Sequence, residues 1–498
     1  MGKHYQALCE KERRISLLAS TKALLEWDQQ CFMPEEASEY RAQQSSLLAG
    51  LAHQESVSRA YEDALKAAED ECSSLPSQDR RRAHLRLSRR EFDKRTKLPQ
   101  ELVEQLASAA AEGQATWEHA KKTSDFPRFA PVMEKIVHLT QKKAGLLRRD
   151  EGTLYDVLLK DFEFGVSSAF LQKTFGDLKT QLIGLLEKIL IHQSQQKPVS
   201  LTGSFPEDAQ KRLGRELAES LGFDAKRCVL TGAMHPFSTT LGKGDYRITS
   251  FYPEHDPLMS FLAIAHEMGH SLYEQGLPKE DFGTMIGEAA SYGIHESQSL
   301  FWEKRIANSP AFLKRWFPKF HRAFPQNPIA LMDPDDFVRA VLFVQPSLIR
   351  VSADEVTYPL HIMIRFELEK ALLDEGLAVK EIPKLWNQKY KDYLGVEPSS
   401  DAEGCLQDVH WSCGAFGYFP SYALGHLYSA QFSSTFESEH GSLNECTEKH
   451  DFVFLRKWLG DKIHRHGAEF DPLVLIEKAT GKTLSPDHFV NYLEGKYL

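Results

Sequence analysis

The sequence predicts a mostly α-helical protein carrying one small β-sheet, and three observations lead there. Apolar residues recur with helical spacing through most of the 498 positions. A single stretch, residues 232–254, instead alternates as a half-buried strand does. No internal repeat or low-complexity tract divides the chain into modules. The whole reads as one domain over 1–498, with a helical part to about residue 230 and a second part over about 231–498.

Taken in order, residues 5–29, 37–72, 78–96, 99–121, 128–149 and 168–194 are expected as long amphipathic helices. Pro34, Pro76, Pro99, Pro127 and Pro131 fall at their ends or between them, where a missing N–H costs least. The polar segment "SQQKPVSLTGSFPED" (194–208) reads as a surface loop. In 232–254, "DYRITSFY" is rich in β-branched and aromatic residues, and Gly242 and Gly244 supply a turn. Helices resume at 257 and are interrupted at 324–336 and 395–404.

Composition excludes several classes of function. With 60 Lys and Arg against 70 Asp and Glu the net charge is −10, which repels nucleic acid and anionic membranes alike. The basic run 79–97 has Leu85, Leu87 and Phe92 on one side and acidic residues interspersed, so it reads as a helix with a solvated arginine face. No apolar run approaches the roughly 18 residues of a membrane span. The N-terminus shows neither a signal-peptide core nor a myristoylation motif. The seven cysteines are odd in number and scattered, without a C-x-x-C pair. That is neither a disulfide framework nor a thiolate zinc site, and a reducing, cytoplasmic setting is expected.

Chemistry concentrates in "SFLAIAHEMGHSLYEQG" (260–276). Positions i and i+4 share a helix face, so His266 and His270 can aim at one ion while Glu267 polarises a water beside it: the H-E-x-x-H arrangement of zinc peptidases. Phe261, Leu262, Ile264, Ala265, Met268 and Leu272 make this helix apolar nearly all round, hence buried. Two histidines and a glutamate buried without a partner would cost several kcal/mol, a cost that a metal removes. A catalytic zinc takes a third protein ligand, and "GTMIGEAASYGIHESQSLFWEK" (283–304) offers Glu288, His295, Glu296 and Glu303. If a second helix starts near Thr284 and packs antiparallel to the first, Glu296 lies about 18 Å along it and Glu288 about 6 Å, against about 15 and 9 Å for the two histidines. Glu296 is the better placed, and Glu288 the fallback.

At "HEMGH…IHESQS" the sequence resembles the carboxypeptidase Taq family of metallocarboxypeptidases. "HPF" (235–237), "DYRIT" (245–249), "IRVSAD" (349–354) and "GCLQDVHW" (404–411) are similar to that family's H-P-F, D-x-R-x-T, I/V-R-x-x-A-D and G-x-x-Q-D-x-H-W motifs, in the family's order. "LLEWDQQCFMP" (24–34) resembles its N-terminal region. The resemblance implies a neurolysin-like helical shell around a deep substrate groove, the small sheet lying near the active site, and a homodimer. It implies His266, His270 and Glu296 as ligands of one divalent ion, zinc or possibly cobalt, and Glu267 as general base.

A metallocarboxypeptidase of broad specificity would release single residues from peptides bearing a free C-terminal carboxylate. Clamping that carboxylate suits the planar fork of arginine. Arg350, with Asp354 near it, is the first candidate and Arg247, with Asp245, the second. Tyr418 and Tyr422 are candidate donors to the oxyanion. His235 and His410 enter through the family's groove motifs, whereas on sequence alone they read as packed, hydrogen-bonded histidines. Two rival readings remain open at this point: a thimet-type oligopeptidase that cuts internally, and a helical scaffold with a structural metal, against which the intact Glu267 argues.

Overall fold

The computed structural model describes residues 2–149, 152–449 and 451–498. Helices dominate, as expected. Lys3–Cys31, Arg80–Lys97, Gln100–Thr123, Phe126–Leu147 and Ser168–Ser194 correspond to five of the six predicted long helices. The sixth, expected over 37–72, is two helices, Ser38–Ser56 and Arg59–Glu71. Ser58 separates them: its extended backbone starts a new helix, and its hydroxyl accepts the Tyr61 N–H. Pro131 lies inside Phe126–Leu147 rather than at an end, giving up the bond to the Pro127 carbonyl.

The sheet has three strands in the order β1-β3-β2, namely Cys228–Gly232, Asp245–Ser250 and Ser238–Gly242. β2 and β3 form the antiparallel hairpin read from the sequence, turning through Gly244 at φ +88°. β1 precedes the expected β region and pairs parallel to β3. Its apolar run, Cys228 to Leu230, is too short for alternation to reveal. Thr249 of β3 accepts the Phe237 N–H at 2.9 Å and donates to the His235 carbonyl at 3.2 Å. One hydroxyl thus ties "HPF" to "DYRIT".

Burial divides unevenly. One hydrophobic core runs from Leu102 to Leu493 and contains the helix Pro257–Gly276. A smaller cluster, built from Tyr5, Leu8, Tyr61, Leu65, Leu85 and Phe92 among others, lies under the N-terminal helices. Its polar centre is Glu12, whose carboxylate accepts from Tyr61 Oη (3.1 Å), Ser88 Oγ (2.6 Å) and the Met285 N–H (3.1 Å), and pairs with His84 Nε2 (2.6 Å). The bond from the Met285 N–H ties the N-terminal helices to the segment leading into the site.

Burial by itself would lower the pKa of His84. Hydrogen bonds to Cys9 and to the Glu12 carboxylate outweigh it and push the value up to about 9. A raised folded-state value stabilises fully below the unfolded value of about 6.5 and is lost as the pH climbs through the folded one. The thermal midpoint of the wild-type protein should therefore fall between pH 6.5 and 9 more steeply than that of His84→Gln, which starts lower and runs flatter. A thermal series across that range checks this; parallel slopes would show the pair uncoupled from folding.

Candidate active site

Asp256 caps the helix Pro257–Gly276, accepting the N–H groups of Leu258 and Met259. The helix buries Phe261, Ile264, Ala265, Met268 and Leu272, as its composition predicts. Gly269 lies between the two histidines. A Cβ there would stand 2.5 Å from the Gln298 carbonyl oxygen and 2.6 Å from Ser299 Cα, so only glycine lets the second site helix approach this closely.

That second helix is not the one expected. The chain from 277 to 291 is largely irregular, with single 3₁₀ turns at Lys279–Asp281 and Met285–Gly287. The helix begins at Tyr292 behind the N-cap Ser291. Glu296 is thus only the fifth residue of its helix, and the irregular approach, not a long antiparallel hairpin, brings it level with the histidines. A third element completes the fit: a Cβ on Gly425 of the helix Phe419–His440 would lie 2.7 Å from Glu296 Cγ.

His266 Nε2 lies 3.6 Å from Glu296 Oε2, and His270 Nε2 lies 3.5 Å from the same oxygen. Among the described residues these three alone bring ligand atoms within 4.8 Å of one another. Donors about 2.0–2.1 Å from a tetrahedral ion are separated by about 3.3–3.4 Å, so the set fits a metal with little movement. Of the other expected candidates, Glu303 bonds His266 Nδ1 through its Oε2 at 2.9 Å, the carboxylate–imidazole contact that orients a ligating histidine. Glu303 lies in Phe301–Ala307, a π turn continuing the helix that carries Glu296. His295 pairs with Glu274 at 3.0 Å and its ring lies against that of His270, centroids 4.4 Å apart. Glu288 instead lines a cavity of about 220 Å³ with Glu274, Lys243 and Tyr246.

Glu267 is buried, and its Oε2 has no hydrogen-bond partner among the described residues. Burial pushes its pKa up to about 7, the neighbouring Glu296 adding to the effect while His266 opposes it. Burial would lower His266, but Glu296 and Glu303 raise it to about 10. The site is therefore an anionic pocket that retains a proton unless a cation replaces it.

Around the N-terminus of Phe419–His440 lies an aromatic cluster. Tyr418 and Tyr422 have centroids 5.1 Å apart, and His410 lies 5.5 Å from Tyr418. Tyr422 is three residues before Gly425, on the helix face that touches Glu296. Burial, with Glu296 adding to it, raises both phenols, Tyr418 to about 12, so each keeps its proton to donate. Burial lowers His410 to about 4, Asp408 only partly opposing it, so its ring is neutral near pH 7.

Arg350 joins this cluster, but through a partner not foreseen. Its Nε and Nη2 lie 2.9 and 2.8 Å from Asp408 Oδ1, and Nη1 donates to Tyr358 Oη at 2.8 Å. Asp354, expected to orient it, instead accepts the N–H groups of Val356 and Thr357 and so leads into the helix Tyr358–Asp374. Arg365 of that helix takes the other oxygen of Asp408 at 2.6 Å. Gln407 accepts the Arg350 N–H at 2.9 Å. Arg247 does pair with Asp245, as expected, and stacks on Trp27 at 4.2 Å. His235 is exposed. No contact among the described residues joins Arg247 or His235 to the Arg350–Tyr422 cluster. Tyr358, Asp408 and Arg365 were missed on sequence, although Asp408 stood inside the quoted "GCLQDVHW".

With that geometry in place, comparison with known proteins is decisive. The sequence model of the carboxypeptidase Taq (M32) metallopeptidase family matches residues 7–497. Thermostable carboxypeptidase 1 of Thermus thermophilus is 39% identical, the alignment covering 99% of this chain and 98% of that protein. The M32 carboxypeptidase of Deinococcus radiodurans R1 superimposes with a TM-score of 0.94 at 34% identity, over 100% of this chain and 99% of that one. A Pyrococcus furiosus carboxypeptidase, described as apo with Mg, gives a TM-score of 0.95 at 31% identity over 100% and 99%.

Removing the shared anion tests the arginine cluster. Asp408→Ala leaves Arg350 and Arg365 buried without their counter-ion and should cost about 3–5 kcal/mol in urea denaturation. A loss below about 1 kcal/mol would show that solvent reaches both guanidinium groups.

Proposed function

The chain belongs to the carboxypeptidase Taq (M32) family and is a metallocarboxypeptidase acting on peptides, and from that premise we propose how its residues divide the work. His266, His270 and Glu296 hold one divalent cation, and Glu267 is the general base. One observation carries this reading: three ligand atoms converge within 4.8 Å beside a buried carboxylate oxygen that nothing else occupies.

The cation, when bound, polarises the scissile carbonyl and acidifies the attacking water. The remaining work falls to the chain. Glu267 accepts the proton of that water as attack proceeds and returns it to the leaving amine, a cycle suited to a carboxyl titrating near neutral pH. Tyr418 and Tyr422 keep hydroxyl protons to offer the carbonyl oxygen as charge builds on it. Arg350 spends three of its five N–H donors on Asp408 and Tyr358 and has two left for the substrate's α-carboxylate. His410 supports the same subsite as a neutral ring. Arg247 and His235 belong, on this reading, to the more distant groove wall.

Zinc is the cation we assign, with cobalt the other fit. Two imidazoles and a carboxylate suit these ions, whereas magnesium favours a set made wholly of oxygens. We assign one domain over 1–498, broad preference for the released residue, and a cytoplasmic location. Seven free cysteines support that location, and among the described residues no helix is long and apolar enough to cross a membrane. A homodimer is supported by Leu17, Tyr40 and Leu47, which the N-terminal helices leave exposed.

The test is a mass-spectrometric time course on a ten-residue peptide, its C-terminally amidated copy, and a chelator-treated sample. A ladder losing one C-terminal residue at a time, absent from both controls, is expected. Internal cuts in both peptides would point to an oligopeptidase, and no cleavage after zinc or cobalt is restored would leave a metal-bearing scaffold. Glu267→Gln should lower kcat by about 10²–10⁴ while its metal content stays at the wild-type level.

A further inference from the structure

Behind His266, on the side away from the ligand set, runs a series of buried charges that the scheme above does not use. Lys304, beside Glu303 in the π turn, pairs with the Glu303 carboxylate, Nζ to Oε1 at 2.6 Å. Arg305 follows, its side chain fully buried and its Nη1 3.8 Å from Glu355 Oε2. Glu355 exposes none of its side chain either. Its other partners come from the C-terminal helix Asp487–Tyr497. Lys496 Nζ donates to Glu355 Oε1, and so does Tyr497 Oη at 2.8 Å. The Tyr492 hydroxyl accepts from Lys496 Nζ at 2.9 Å and donates to the Lys304 carbonyl at 2.9 Å. The Arg305 guanidinium lies over the Tyr492 ring, 3.5 Å from its centroid.

A cluster of five charged side chains, of which Arg305, Glu355 and Lys496 are buried, does not maximise stability, because well-packed apolar residues of similar volume serve at least as well. What such a cluster provides is a fixed arrangement. The element it fixes is the π turn, an uncommon geometry that needs outside support to persist. Tyr492 grips the carbonyl of Lys304, the residue next to Glu303. Lys496 and Arg305 hold Glu355 from either side.

We propose that the C-terminal helix is a positioning element of the metal centre: Tyr492 and Lys496 hold the π turn so that Glu303 keeps its grip on His266 Nδ1 and the ring stays aimed at the ligand set. This rests on the reading of His266 as a metal ligand. The hydrogen bonds of Tyr492, Lys496 and Tyr497 go to Lys304, Glu355 and one another, not to the ligand set. Their effect passes through Glu303, so it appears in metal retention before it appears in turnover.

The experiment measures the zinc dissociation constant by competition with a colorimetric chelator, alongside the thermal midpoint of each zinc-free protein. Wild type is compared with Tyr492→Phe, Lys496→Met, Leu493→Ala and His270→Ala. Leu493 is a buried apolar residue of the same helix, so its truncation loosens the packing without touching the polar links. Tyr492→Phe and Lys496→Met should each weaken zinc binding about tenfold, the lower end of what loss of a ligand's outer partner costs. Leu493→Ala should lower the midpoint at least as far and leave the constant within about twofold. Unchanged constants in Tyr492→Phe and Lys496→Met would overturn the proposal, as would equal weakening in Leu493→Ala, since the helix would then act through stability alone. Wild-type binding that survives His270→Ala would instead overturn the ligand reading, and this inference with it.

Discussion

The site depends on how closely two helix backbones can approach. Three donor atoms must converge within a few ångströms, yet two of them sit on Pro257–Gly276 and the third on Tyr292–Leu300. Side chains at the crossing would hold the helices apart, at the 8–10 Å of ordinary packing. Gly269 removes that obstacle on one side, and Gly425 does so on the far side of Glu296. The glycine inside "HEMGH" is thus as much part of the ligand geometry as the histidines, although it offers no ligand. The apolar burial of the first helix then keeps the crossing rigid, because a packed interior has no room to let it slide.

Electrostatics follows from that geometry. Glu267, Glu296 and Glu303 surround two imidazoles in a region with little solvent, a combination that stores negative potential. Such a pocket selects for a cation, and without one it takes up protons. The same burial divides the groups by task. It raises Glu267 toward neutrality, where a carboxyl both takes and gives a proton, and it holds the nearby phenols protonated. The aromatic cluster beside Glu296 therefore offers neutral donors, while Asp408 absorbs the charge of Arg350 and Arg365.

Short-range patterns carried most of what the sequence revealed. Helical periodicity located the long helices, and i,i+4 spacing located His266 and His270, because both are properties of one turn of backbone. The break at Ser58 escaped because the residues on both sides of it are helical, and only the cap marks where one helix ends and the next begins. β1 escaped because its partner is fixed by pairing with β3, not by its own alternation. The choice of Glu296 over Glu288 agrees with the observed convergence, but the route to it did not hold: a helix counted from Thr284 assumed regularity over 277–291, and the chain there is mostly irregular.

The pairing of Arg350 shows why the rest lay out of reach. Asp354 was the natural partner on the sequence, four residues away, but a carboxylate there serves its own backbone, capping the approach to the next helix. The real partner is 58 residues distant, in a segment that meets Arg350 only once the chain is folded. Gln407 and Asp408 then act together, one on the backbone and the other on the side chain of the same arginine. That double hold explains why "IRVSAD" and "GCLQDVHW" occur as separate motifs in one protein: each is half of a single structural unit. An arginine fixed at its backbone N–H, its Nε and both Nη groups can move little, so its remaining donors are set before a substrate arrives. Preorganisation of that kind spares the ordering cost on binding, and it is what a carboxylate clamp requires if the scissile bond is to lie at a constant distance from Glu267.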